Sequence, residues 1–158
     1  MLSAIQLQDE VIAPALDKLD LWSRASEELV LGTAIIESSL KWLKQHGDGP
    51  ALGLWQIEPD THLDLYENYL QYRPELLQKL EGLIAPDLSM DENLQTNLMY
   101  GAGVCRLCYY RKSEPLPIAG DLEGQANYWK DHYNTHLGAG TVSKYTLKVK
   151  QVFDQELS

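Results

Sequence analysis

Cysteine is nearly absent: two among 158 residues, Cys105 and Cys108. Two thiols three positions apart give no disulfide framework, and a chain of this length can bury a core without one. No apolar run approaches the roughly 18 to 20 residues of a membrane-spanning helix. The longest, Leu29 to Ile36, is interrupted by Gly32 and Thr33. The opening residues MLSAIQLQDE lack a basic segment and carry Asp9 and Glu10. No secretory signal is therefore expected, and synthesis in the cytoplasm is. Basic residues are the minority, 13 Lys and Arg against 23 Asp and Glu, for a formal charge of −10. A field of that sign repels phosphate backbones, which excludes general nucleic-acid binding, and it gives no reason to expect an anionic membrane surface. Repeats, low-complexity tracts and interdomain linkers are also missing, so one domain over 1–158 is expected.

What is present fits a folded domain. Apolar residues make up 44% and charged residues 23%, close to globular averages, which excludes a disordered chain. The aromatics are nine Tyr and four Trp but one Phe. Tyr and Trp offer a flat apolar face with a polar edge, which suits carbohydrate as well as half-buried helix contacts. Cys105, Cys108, His132 and His136 form a C-x-x-C and an H-x-x-x-H, so zinc has to be weighed. The 23 residues between the pairs exceed the roughly 12 of a compact finger, and both pairs lie in helical text. Two buried, reduced thiols on one helix are the preferred reading, with no metal.

The apolar spacing predicts an all-α chain, with at most a short hairpin near 46–57. Ile5 to Leu19 is helical, with Pro14 as a kink or a new start. Ser23 or Ser26 caps a strongly apolar, central helix over about 26–44. Pro59 and Pro74 each suit a first helical position. Ser89 and Glu92 form a capping box for a helix to about Lys112. Residues 122–133 and 141–156 complete the helices, with a loop over 134–140.

Glu37 sits in the most apolar helix, with Ala34 and Leu40 three positions to either side. A poorly solvated carboxyl has a raised pKa, which is what a general acid needs near neutral pH. The plainer alternative is a surface pair with Lys41.

The surrounding text carries a resemblance. Glu37-Ser38 is followed, 19 residues after Glu37, by Gln56 within Gly-Leu-Trp-Gln-Ile-Glu-Pro-Asp-Thr. This is similar to the lysozyme-like superfamily of soluble lytic transglycosylases and goose-type lysozymes, with Trp55 in place of the usual Met. Asp48, Glu58 and His62 stand where the goose-type branch places two aspartates and a histidine; Glu58 departs by one methylene. Asn93-Leu94 with Gly101-Ala102-Gly103 resembles a segment whose glycine packs against the catalytic helix. Tyr133-Asn134 resembles a cleft-lining Tyr-Asn pair, here with Thr135-His136-Leu137 inserted before the glycines. The resemblance spans about residues 26–145.

It implies a lysozyme-like domain that cleaves the β-1,4 bond between N-acetylmuramic acid and N-acetylglucosamine in peptidoglycan. Glu37 would be the general acid. Ser38, Trp55, Gln56, Tyr109 (or Tyr110), Tyr133 and Asn134 would contact the glycan. If the sugar's C6 hydroxyl attacks, the product is an anhydro sugar; if water held by Asp48 or Glu58 attacks, it is a hydrolysed end. No cofactor is implied. The chain also resembles phage-encoded members, which implies virion proteins as partners and release to the cell wall. The rival expectation is a catalytically inactive glycan-binding or virion module of the same fold.

Overall fold

Helix boundaries follow the capping residues. The computed structural model describes residues 1–134 and 139–158. In chain order the helices are α1 (Ala4–Leu7), α2 (Ala13–Lys18), α3 (Arg24–Ser38), α4 (Pro59–Asn68), α5 (Pro74–Glu81), α6 (Met90–Thr96), α7 (Leu98–Tyr110), α8 (Leu122–Trp129) and α9 (Val142–Leu157). A π turn over Gln8–Ile12 joins α1 to α2, where the Ala13 N–H reaches back to Gln8 O. Pro14 thus sits in the first turn of α2 rather than breaking the helix. Ser23 accepts from Ser26 N at 3.1 Å while Ser26 Oγ accepts from Ser23 N at 2.8 Å. Ser89 and Glu92 form the same reciprocal box, at 3.1 and 3.0 Å. Pro59 and Pro74 open α4 and α5.

Among the described residues the chain is all-α, and the expected hairpin near 46–57 is only two isolated antiparallel bridges, Lys44 with Leu52 and Leu52 with Ile57. Two helices are shorter than their apolar text. The one expected to reach residue 44 stops at Ser38, because Ser39 and Leu40 both take left-handed backbone, φ 55° and 58°. Such backbone is unfavourable for side-chain-bearing residues; here it turns Leu40 into the core, at 1% exposure. The helix expected over 89–112 breaks at Asn97, whose φ −88° and ψ 96° are extended and whose side chain caps Tyr100 N to begin α7. The helix expected over 122–133 passes from α8 into a π turn over Lys130–Asn134. The loop expected over 134–140 falls partly outside the described residues.

One buried cluster runs from Ala4 to Val152. At its centre α3 packs against α1, α7, α8 and α9, which explains why its apolar residues go all round. The resemblance implies a glycine of α7 against the catalytic helix; at Gly101 a Cβ would instead meet the Trp55 ring. No helix among the described residues is long and apolar enough to cross a membrane.

Asn93 is fully buried and pins the loop between α5 and α6. Its Oδ1 accepts from Ala85 N and Asn97 Nδ2 at 2.8 and 2.9 Å, and its Nδ2 donates to Ala85 O and Ser89 O at 3.1 and 3.0 Å. Asn93→Ala removes all four of these bonds at once and leaves the part-buried Ala85 and Asn97 groups without them. It is expected to cost about 2–3 kcal/mol in urea denaturation; an effect below about 0.5 kcal/mol would contradict this account.

Candidate active site

Glu37 lies in the last turn of α3, where the helix leaves the core. Its carboxyl is pushed up from 4.5 to about 7, chiefly by burial; a hydrogen bond from the Trp129 indole acts the other way. Trp129 Nε1 donates to Glu37 Oε1 at 3.0 Å. The negative end of the α3 dipole also disfavours ionisation there. One carboxyl oxygen is thus tied to an N–H, which cannot accept back, so a proton held by Glu37 belongs on Oε2.

A cleft of about 420 Å³ opens beside this carboxyl, within the usual size range of ligand sites. Glu37 lines it from α3, and Gln45, Ala51, Gln56, Ile57 and Glu58 line it from the loop that follows. Thr61 comes from α4, Cys108, Arg111 and Lys112 from the end of α7, and His132, Tyr133 and Asn134 from the π turn after α8.

The Gly-Leu-Trp-Gln segment is a closed turn. Leu52 N and Ile57 N exchange hydrogen bonds with the opposite carbonyls at 3.0 and 3.1 Å. Gly53 has φ 77° and lies so close to Leu94 O that a side chain would collide. Gln56 also takes positive φ, 48°, and its Nε2 donates to Gly53 O at 2.9 Å. Leu54 and Trp55 are thereby directed into the core, each 1% exposed, and Gln56 into the cleft.

Of the residues expected to touch glycan, Gln56, Tyr133 and Asn134 reach the cleft, as does Glu58 of the expected carboxylates. Four others do not line it. Trp55 is buried, and its Nε1 donates to Val30 O of α3 at 3.0 Å. Ser38 is buried, with its Oγ donating to Ala34 O at 2.9 Å. Tyr109 is buried, with its hydroxyl 2.7 Å from Thr33 Oγ1, and its ring stacks on Tyr133 at 5.2 Å. Asp48 is exposed in a Gly-flanked turn and is not among the residues that line the cleft. Tyr110 is exposed but beside Arg106, so neither member of the Tyr109-Tyr110 pair walls the cleft. His62 is buried against the Tyr100 hydroxyl at 2.6 Å. Tyr133 donates to Trp55 O at 2.6 Å, and Asn134 Oδ1 accepts from Lys130 Nζ at 2.9 Å.

Sequence reasoning missed Trp129, Gln45, Thr61, Arg111 and Lys112. Trp129 lies 92 positions from Glu37, and nothing local marks the pairing. Arg111 and Lys112 read as ordinary helix-end charges. Cys105 and Cys108 are free, buried and helical, and burial raises both thiols, Cys108 to about 11. Among the described residues no group of three or more His, Cys, Asp and Glu is placed to hold a metal; His136 lies outside them.

Two measurements check this geometry. Trp129→Phe keeps a ring but removes the N–H that favours the ionised carboxyl, so Glu37 should titrate about one pH unit higher, read by carboxyl carbon NMR. An unchanged titration would mean the bond is not formed in solution. The second uses stability. Below pH 4.5 folded and unfolded chains both hold the Glu37 proton. Between 4.5 and about 7 only the unfolded chain loses it, so the folded state loses stability as pH rises. By pH 8 the loss approaches about 3 kcal/mol. Glu37→Gln, whose amide oxygen keeps the Trp129 bond, should melt higher than wild type at pH 8 and equally at pH 4. A difference independent of pH would contradict a desolvated acid.

No family model matches the chain, and neither does any curated protein or solved structure.

Proposed function

We propose that this chain is a peptidoglycan-degrading muramidase with a lysozyme-like fold, cleaving the β-1,4 bond between N-acetylmuramic acid and N-acetylglucosamine. The observation that carries the reading is Glu37: a carboxyl with a pKa of about 7, tethered through one oxygen and lining an open cleft. A glycosidic oxygen is a poor leaving group until protonated, and a positioned acid of that pKa is half protonated near neutrality. The Glu37-Ser38 and Gly53–Thr61 text supports the same reading through its resemblance to lytic transglycosylases and goose-type lysozymes.

In this mechanism Glu37 Oε2 gives its proton to the leaving oxygen as an oxocarbenium-like centre develops. Gln56 and Asn134, both on the cleft lining, supply amide partners for sugar N-acetyl and hydroxyl groups. Tyr133 contributes the one aromatic side chain on the cleft from the set expected to bind glycan. The glycan strand is the partner, and virion proteins remain partners only through the phage-like resemblance. Capture of the cationic centre follows one of two routes. The C6 hydroxyl of the same sugar closes an anhydro ring, or a water attacks with Glu58 as base. Asp48, exposed and off the cleft lining, has no part in either.

The test is mass spectrometry of muropeptides released from purified peptidoglycan. Wild type should release muramyl ends, and folded Glu37→Gln should lose on the order of 10² to 10⁴ in rate. Water-derived ends should be accompanied by a strong loss in Glu58→Gln, whereas anhydro ends should be indifferent to it. Undiminished cleavage by Glu37→Gln would sink the assignment. Absence of any product from wild type across wall preparations would favour the inactive binding module.

A further inference from the structure

The cleft is charged against the trend of the protein. The chain has ten more acidic than basic side chains, yet the end of α7 brings Arg111 and Lys112 to the cleft at adjacent positions, with His132 also on the lining. The carboxyls on that lining are Glu37, protonated up to about pH 7, and Glu58. Asp64 from α4 engages Arg111 Nη1 at 2.7 Å, but takes only part of the guanidinium. Arg111 Nε is buried and donates to nothing among the described residues. Lys112 is exposed, and no ion pair holds it among the described residues. Glu114 approaches His132 Nε2 at 3.9 Å and is itself off the cleft lining. Both cations also act electrostatically on the Cys108 thiol at the cleft wall, opposing the rise that burial causes.

We propose that this corner of the cleft is a carboxylate-binding subsite, which selects glycan units bearing an acidic substituent over neutral N-acetylglucosamine chains. Naming the carrier as a muramyl unit rests on the glycosidase reading; the preference for a carboxylate does not. A guanidinium matches a carboxylate in shape, and an adjacent ammonium adds a point charge that tolerates variation in the substituent. The competing explanation is that Arg111 and Lys112 merely neutralise the C-terminal dipole of α7. That role predicts a change in stability and none in ligand preference.

The experiment is an NMR titration at low salt and pH 6 with three probes: N-acetylmuramic acid, muramyl dipeptide and triacetylchitotriose. The first carries its carboxylate on the lactyl group and the second on the peptide. Lys112→Gln should weaken the better acidic probe about 2- to 5-fold, the range for an exposed charge pair. Lys112→Glu should weaken it further, and both effects should fade at high salt. Chitotriose binding and melting temperature should stay at wild-type values. The acidic probe with the larger loss identifies which carboxylate is read. Equal losses for acidic and neutral probes, or no loss for either acidic probe, would overturn the subsite. If wild type cleaves no peptidoglycan but binds acidic probes through Lys112, the glycosidase reading falls and the subsite stands. If it cleaves peptidoglycan without that discrimination, the subsite falls and the glycosidase reading stands.

Discussion

A helix buried on every side must surface at one of its ends, and in this protein that end opens on the cleft that Glu37 lines. Four helices close around α3, so its apolar residues need no solvent face. The consequence falls on the last turn. Glu37 is the first carboxyl the helix meets as it leaves the core, still desolvated and already beside the cleft. The left-handed pair Ser39-Leu40 is what makes this possible. A helix continuing to residue 44 would carry the chain straight past the cleft. The turn instead sends residues 43–58 back past the helix end, where Gln45, Gln56 and Glu58 line the same cleft as Glu37.

The aromatic residues hold that arrangement more than they line it. Trp55 hydrogen-bonds Val30 O on α3, Tyr109 bonds Thr33 on the next turn, and Tyr133 bonds Trp55 O. Trp129 completes the set on Glu37 itself. Four rings from three separate segments are thus referenced to one helix. Buried Tyr and Trp seek a partner for their polar atom, and here each partner lies on α3 or on the loop docked to it. Phe at these four positions would fill similar volume without making the bonds that tie the segments to α3.

Much of this was legible in the sequence where the cause is local. Ser23 with Ser26, Ser89 with Glu92, Pro59 and Pro74 each act within one turn, and their helices begin where the text says. The raised acid at Glu37 was legible too, since apolar neighbours on a helix predict desolvation. What local pattern could not carry was direction. Ser38, Trp55 and Tyr109 are polar or amphipathic residues beside a candidate site, and only the packing shows them turned to the core. Asp48 is the converse, a carboxylate near the motif in sequence that its turn leaves in solvent. Asn97 breaks an apolar helix because its side chain is recruited by Leu83 O and Tyr100 N, a tertiary demand on a residue that is otherwise tolerable in a helix. Trp129 is invisible for the same reason: its partner is 92 residues away.

The two carboxyls left on the cleft occupy opposite electrostatic settings. Glu37 is at the C-terminal end of α3, where partial negative charge and burial both hold the proton on. Glu58 is the residue before α4, at the end where partial positive charge gathers, and it is exposed. One fold element therefore buries its carboxyl at the end of partial negative charge, and the next exposes its carboxyl at the end of partial positive charge. The indole of Trp129 sharpens the asymmetry by occupying one Glu37 oxygen with a donor, leaving the other as the site of exchange. Helix polarity and depth thus set two carboxyls of similar chemistry in different surroundings, and the cationic end of α7 shares their cleft.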